Sequence, residues 1–174
     1  MPSEPTNEGR KAHRAAPPAA LVNAALTAAP GDLGPLDHIW PVDQHAKSRV
    51  TSKYGWRPDP FTGKRSFHGA VDIAAAAGTT VVATAPARVF AVGKHPRLGH
   101  YVILSYADGS RSTYGHLKDY RVGTGQLVGR GEAIGRVGSS GRSTGPHLDF
   151  RLEVDGWQVN PLPVLISSMA LAEN

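Results

Sequence analysis

A short segment of the sequence contains an imidazole and a carboxylate spaced so that both could act on one metal ion or one substrate. His147 and Asp149 occur in GPHLDF, at residues 145–150. On a β-strand, the period of two turns both side chains to one face, while Leu148 and Phe150 turn to the other. An imidazole and a carboxylate on one face can ligate a metal or transfer a proton. The pair is therefore a candidate for either role.

A second histidine and aspartate, His68 and Asp72, occur in FHGAVDIAA. In a straight strand these two positions lie on one face but about 13 Å apart, too far to share a metal. Gly69 allows the chain to bend sharply just after His68, and such a bend would bring the two side chains together. The alternative is an exposed loop histidine beside an aspartate that caps a strand.

His116, in STYGHL, follows an Asp-Gly turn, and we predict that it lies near a strand end. The chain has no cysteine, so any metal site must use histidine, aspartate or glutamate. No serine lies in a nucleophile-elbow sequence, which argues against a serine hydrolase. The remaining histidines are interpreted as non-catalytic: His13, His38, His45, His95 and His100.

The elements that would position these residues read as short strands. Gly-rich segments or an Asp-Gly turn separate the β-rich runs, and no helical pattern persists for three turns outside the two ends of the chain. We therefore predict an all-β domain with an antiparallel sheet or two sheets. The predicted strands are AVDIAA, TTVVATA, ARVFAVG, HYVILSYA, RSTYGHL, EAIGRVG and HLDFRLEV.

Composition divides the chain into three parts. Residues 1–38 form an Ala/Pro-rich tail or linker, predicted to be flexible or partly helical. It has the outline of a secretory signal, but Pro17 and Pro18 interrupt the apolar segment. Residues 39–166 form the folded domain, and residues 167–174 form a C-terminal tail.

The charge pattern argues against nucleic acid as a partner, and the hydropathy argues against a transmembrane helix. The net charge is +5, but the basic residues are scattered singly and do not alternate with aromatics as in a nucleic-acid interface. No apolar stretch reaches the length of a transmembrane helix. Neither nucleic acid nor a membrane-spanning segment is predicted.

Taken in order, the motifs resemble those of the lysostaphin-like zinc metalloendopeptidases of bacterial cell walls. The resemblance covers about residues 50–162. It is carried by VTSKYGWRPDPFTGKRSFHGAVDIAA, GTTVVATAPARVFAVG, YVILSYADGSRSTYGHL and VGRGEAIGRVGSSGRSTGPHLDFRLEVDGWQVNP. It implies an all-β metallopeptidase domain with a substrate groove, located in the cell envelope.

The resemblance also implies a role for each candidate residue. His68 and Asp72 match two zinc ligands, and His116 and His147 match catalytic histidines. The family's third ligand is the second histidine of a His-x-His motif, and this chain has Asp149 there. The resemblance implies zinc as the cofactor. Because one histidine and two carboxylates would neutralise a divalent metal and are rich in oxygen, manganese or no metal are the alternatives.

Two functions follow from the resemblance. The first is a metal-dependent endopeptidase that hydrolyses peptide bonds in peptidoglycan, with Asp149 as an unusual third ligand. The alternative is a catalytically silent relative that binds peptidoglycan or regulates a cell-wall hydrolase. The retained His68, Asp72, His116 and His147 favour the first, and the replaced ligand favours the second.

Overall fold

The computed structural model describes residues 38–165, which are built almost entirely from β-strands. The strands of this part of the chain are β1 Ser48–Ser52, β2 Gly55–Pro58, β3 Arg65–His68, β4 Val71–Ala75, β5 Thr80–Val82, β6 Ala87–His95, β7 Gly99–Ser105, β8 Arg111–Tyr120, β9 Leu127–Val128, β10 Ala133–Val137, β11 His147–Val154 and β12 Trp157–Val159. Residues 162–165 are helical.

Ten of these strands form one antiparallel sheet. Its main order is β1-β4-β11-β8-β7-β6-β9, with β10 pairing β5 and β8, and β12 pairing β11. Strands β2 and β3 form a separate antiparallel hairpin. The predicted all-β, antiparallel class is confirmed. No helix within residues 38–165 has the length and apolar character needed to cross a membrane.

The alternation along β11 separates the core from the candidate site. Leu148, Phe150 and Leu152 are buried, with at most 2% of each exposed, and the first two belong to the main core cluster. The ring of Phe150 packs edge-on against Tyr114 of β8, with centroids 5.2 Å apart. Burying one such side chain contributes about 1.5–3 kcal/mol. This packing fixes the register and directs His147 and Asp149 to the opposite face.

The β2–β3 hairpin is tied to the large sheet by side-chain contacts. Arg142, in the loop before β11, donates two hydrogen bonds to the carboxylate of Asp59 at the hairpin turn, at 2.9 and 2.8 Å. Tyr54 donates to the backbone carbonyl of Gln158 at 2.8 Å, and its ring packs on Phe67. The hairpin therefore docks on the sheet mainly through side chains.

Several details differ from the sequence-based prediction. The seven predicted runs all contain strands, but β1, β2, β3, β9 and β12 were not predicted. His116 lies inside β8, which continues to Tyr120, so its predicted place near a strand end was wrong. The predicted N-terminal tail, apart from His38, and the C-terminal tail lie outside the described residues, as does His13.

Candidate active site

Two carboxylates face each other at the centre of the site. Asp72 of β4 and Asp149 of β11 are directly paired across the sheet, and Gly115 of β8 lies on the other side of Asp149. Both aspartates are buried. Like charges directly opposite on neighbouring strands are destabilising, so this arrangement requires positive partners.

His68 supplies one such partner from the hairpin. It is the last residue of β3, and the chain turns through residues 69–70 before β4 begins. Its Nε2 atom lies 3.3 Å from Oδ1 of Asp72 and 3.8 Å from Oδ2 of Asp149. The bend at Gly69 thus replaces the separation of about 13 Å that a straight strand would impose.

The three histidines of the site share one hydrogen-bond pattern. The Nδ1 atom of each lies within hydrogen-bond distance of a backbone carbonyl: His68 at Lys53 (3.1 Å), His116 at Ser140 (2.8 Å) and His147 at Gly145 (2.8 Å). A carbonyl only accepts, so in the neutral imidazole the proton is on Nδ1. Each Nε2 atom is then left as a ligand or a base.

The donor atoms fit a metal. His68, Asp72 and Asp149 each offer one atom, and these three atoms lie within 4.8 Å of one another. Oδ1 of Asp72 is buried and has no donor in good hydrogen-bond geometry, although the Nε2 atoms of His68 and His147 lie 3.3 and 3.7 Å from it. Tetrahedral zinc bonds of about 2.0–2.1 Å place ligand atoms about 3.3 Å apart, close to the separations of His68 from the two carboxylates.

His116 is held in an uncommon backbone conformation. Its φ is +59°, in the left-handed region that few residues other than glycine adopt. Its backbone N–H donates to the carbonyl of Leu98, and its ring centroid lies 4.7 Å from that of His147. Burial lowers the pKa of His116, which keeps the imidazole neutral at pH 7.

Ser140 fixes the carbonyl that orients His116. Its hydroxyl donates to the carbonyl of Leu117 at 2.6 Å and accepts from the backbone N–H of His100 at 2.9 Å. These bonds attach the loop before β11 to β7 and β8. The tautomer of His116 therefore depends on the position of the Ser140 carbonyl, which these side-chain bonds fix.

Arg151 pairs with the carboxylate of Asp149. Its Nε donates to Oδ1 at 2.7 Å and its Nη2 donates to Oδ2 at 3.0 Å, so both oxygens are engaged. A second guanidinium, that of Arg57 in β2, lies 3.5 Å from Oδ2 of Asp72. The bidentate pair of Arg151 and Asp149 is expected to be stronger than the single contact of Arg57.

These contacts set the protonation of the site. Burial lowers the pKa of His68, but the carboxylates of Asp149 and Asp72 outweigh it and raise the pKa to about 9. Burial raises the pKa of Asp149, but the nearby imidazolium of His68 and the hydrogen bonds from Arg151 hold the pKa well below its usual range. Without metal, a protonated His68 lies between two carboxylates, and a metal would have to displace that proton.

A family model matches a continuous part of the chain that contains the three histidines and two aspartates of the site: His68, Asp72, His116, His147 and Asp149. The model of peptidase family M23 covers residues 66–161. The chain belongs to peptidase family M23. A curated relative of this M23 chain, the peptidoglycan DD-endopeptidase ShyB of Vibrio cholerae, is 38% identical over 116 residues. That match covers 66% of this chain and 27% of ShyB.

Solved structures agree with the M23 assignment. A zinc-containing peptidase from Vibrio cholerae has a TM-score of 0.62 and 36% identity, and the match covers 70% of this chain and 37% of that one. The catalytic domain of lysostaphin from Staphylococcus simulans has a TM-score of 0.61 and 32% identity, covering 68% of this chain and 90% of that domain. The predicted lysostaphin-like fold is confirmed. The chain spans less than a third of the length of the first curated relatives.

The five side chains singled out in the sequence converge in this M23 domain: His68, Asp72, His116, His147 and Asp149. The sequence-based prediction missed Arg151, Arg57 and Ser140. Arg151 could have been found, because it lies two residues after Asp149 and so shares its face. The other two come from an unpredicted strand and a loop, and no local pattern marks them.

Proposed function

We propose that this M23 domain is a metal-dependent endopeptidase that hydrolyses peptide bonds in bacterial cell-wall peptidoglycan, with zinc as its metal. One observation carries the proposal. The Nε2 atom of His68 lies 3.3 Å from an oxygen of Asp72 and 3.8 Å from an oxygen of Asp149, so three potential ligand atoms converge. Two buried carboxylates side by side are costly unless a cation neutralises them, and a metal can be that cation once His68 gives up its proton.

In this proposal His68, Asp72 and Asp149 hold the metal. Bound zinc polarises a carbonyl and acidifies water. His116 and His147 provide the proton-transfer groups, because hydrogen bonding at Nδ1 leaves each Nε2 as a base. Their rings are 4.7 Å apart, so both can reach one substrate. The histidine that accepts a proton from the attacking water becomes an imidazolium, and it then donates that proton to the departing amine.

The charge of the site supports the use of Asp149 as a ligand. One histidine, two carboxylates and a divalent metal sum to zero, which weakens polarisation of the substrate. The guanidinium of Arg151 on Asp149 returns one positive charge to the site. A carboxylate oxygen has two lone pairs, so Oδ2 can accept from Arg151 and still bind a metal.

The substrate and location rest on the relatives. ShyB is named as a peptidoglycan DD-endopeptidase, and lysostaphin is named as an antimicrobial peptidase. By analogy, peptidoglycan peptides are the proposed substrate of this chain, and the cell envelope is its proposed location. The net charge of +5 suits the acidic cell-wall polymer.

The second candidate function is a catalytically silent domain that binds peptidoglycan or regulates a cell-wall hydrolase. One observation favours it. Arg151 engages both oxygens of Asp149 and supplies a positive charge that would otherwise come from a metal. In this alternative the guanidinium replaces the metal, and the domain binds its ligand without cleaving it.

Metal analysis and peptidoglycan digestion separate the two functions. The protein, purified without chelator, is analysed for metal and assayed on peptidoglycan with and without added zinc or manganese. We expect about one metal per chain and metal-dependent cleavage that Asp72→Asn abolishes. Lys94→Gln, at an exposed position of β6, serves as the control. No metal and no cleavage, in both the wild type and Asp149→His, would exclude the peptidase. Activity gained only by Asp149→His would establish the silent domain.

A further inference from the structure

A shallow cavity of about 410 Å³ lies on β1 and β4, next to the candidate site. Its lining includes two basic residues, small alanines and Pro146, which directly precedes His147: Lys47, Ser48, Arg49, Ala74, Ala75, Ala76 and Pro146. No acidic residue lines it. The cavity is outside the set of residues assigned to the metal and to proton transfer.

Strand register makes the cavity continuous with the site. Arg49 of β1 is paired with Ala74 of β4, which is paired with His147 of β11. Paired residues on neighbouring strands project to the same face, so these three residues form one row across the sheet. Two strand spacings place the Cα atom of Arg49 about 10 Å from that of His147.

The neighbouring row contains the carboxylates. Ser52, Asp72 and Asp149 are paired in the same way, two residues further along β4 and β11. An extended peptide that passes His147 would therefore leave the candidate metal ligands and cross Ala74. Alanine side chains there leave room for the backbone of a substrate, and the two basic side chains border its path.

We propose that Lys47 and Arg49 form a subsite that binds a carboxylate of an acidic peptide, next to the bond that the site would cleave. This inference rests on the proposed function and adds a substrate class to it: peptidoglycan stem peptides with a free carboxylate beside the cross-link, in preference to amidated ones. Arginine and lysine are the residues that bind carboxylates, and no acidic residue in the cavity competes for them.

The size of the preference follows from exposure. Both basic side chains are exposed, so each contact with a carboxylate is partly screened by water. Two such contacts correspond to about a fivefold to tenfold difference in affinity between a free and an amidated carboxylate. The preference is expected to weaken at high salt.

The test compares Lys47→Gln/Arg49→Gln with Lys94→Gln/Lys118→Gln. Both double variants lose two positive charges, but Lys94 and Lys118 are exposed on β6 and β8, outside the cavity. The probes are synthetic stem peptides in which each carboxylate near the cross-link is free or amidated. Affinity is measured by calorimetry on uncross-linked peptides, and kcat/KM is measured on cross-linked ones.

We expect the wild type and the Lys94/Lys118 variant to prefer one free carboxylate by about fivefold or more, and the Lys47/Arg49 variant to lose that preference. The amidated probe should bind all three proteins equally. A preference that persists in the Lys47/Arg49 variant, or none in the wild type, would overturn the subsite. A preference in binding without any hydrolysis would sustain the subsite and overturn the peptidase.

Discussion

At the scale of single residues, the charge of Asp149 is balanced mainly by its neighbour Arg151. Asp149 is the proposed third metal ligand, and Arg151 binds both of its oxygens. The side chain of Asp149 is 4% exposed and that of Arg151 is 30% exposed. The pair is therefore partly shielded from water. Removing Arg151 leaves the buried carboxylate of Asp149 with His68, which it shares with Asp72, as its nearby positive partner.

We predict that Arg151→Gln destabilises the metal-free protein by about 2 kcal/mol. Loss of one partner of a buried pair costs about 3–5 kcal/mol, and the exposure of Arg151 reduces that value. Urea unfolding in the presence of chelator measures the change. Removing both charges in Asp149→Asn/Arg151→Gln should cost less than the single change, because no lone carboxylate remains.

Zinc gives the prediction a second test. If Asp149 ligates the metal, bound zinc supplies positive charge to the stranded carboxylate, and the cost of Arg151→Gln shrinks when unfolding is repeated with zinc. A cost that is the same with and without zinc would argue against Asp149 as a ligand.

The positions of some site residues could be predicted from the sequence. The period of two placed His147 and Asp149 on one face, and the same rule extends to Arg151. The conformation of His116 was not predictable, because its positive φ depends on contacts with Leu98 and Ser140 that are far away in the chain. Histidine adopts this conformation more often than most residues other than glycine, but that preference is too weak to single out His116 among eight histidines.

At the scale of elements, the β2–β3 hairpin and the loop before β11 are joined by an ionic contact. Arg142 binds the carboxylate of Asp59 and covers the ring of Phe61 at 4.2 Å. The hydrogen bond from Arg142 is the largest cause that lowers the pKa of Asp59. Because this pKa lies far below its usual range, the contact stays charged well into acidic pH.

We predict that Arg142→Gln loosens the hairpin and leaves the large sheet intact. The variant keeps a polar side chain but loses the bidentate pair, so backbone amides of residues 55–68 should exchange faster with deuterium, while those of β7 and β8 should not. Metal affinity should fall several-fold, because His68 ends the hairpin. Arg121→Gln, at an exposed position after β8, is the control. Unchanged exchange in the hairpin would show that Arg142 does not hold it.

Sequence patterns predicted the long strands and missed the short ones. Alternation along HLDFRLEV defined β11 correctly because one face packs into the core. The hairpin strands have four residues each, and contacts with the large sheet hold them in place. Strands of that length carry too little periodicity to be recognised.

At the scale of the whole molecule, a buried polar cluster anchors the beginning of the described domain. The hydroxyl of Thr84 lies 2.7 Å from Nδ1 of His38 and 2.9 and 3.1 Å from the hydroxyls of Tyr106 and Tyr114. Thr84 and Tyr114 are fully buried. One hydroxyl therefore joins residue 38 to the centre of the sheet.

We predict that Thr84→Val destabilises the protein by about 2–3 kcal/mol. Valine has nearly the same shape, so the loss measures the hydrogen bonds and the buried polar groups left without them. Thermal or urea unfolding checks the value. Thr113→Val, at a partly exposed position of β8, should change stability by less than about 0.5 kcal/mol. Equal effects of the two changes would show that the cluster has no special role.

Composition bounded the whole molecule, but it could not reveal this cluster. The sequence placed His38 at the end of a tail, and only the fold shows that its ring is buried against Thr84 and Tyr106. Contacts across 46 positions depend on the topology of the sheet and not on local pattern.

The division of the candidate ligands between the hairpin and the sheet has a consequence for turnover of the protein. His68 belongs to the hairpin, whereas Asp72 and Asp149 belong to the large sheet. A metal bound by all three would fasten the smaller piece to the larger one. Chains without metal would then expose the hairpin to proteases more often, so zinc scarcity would lead to selective degradation of the unloaded copies.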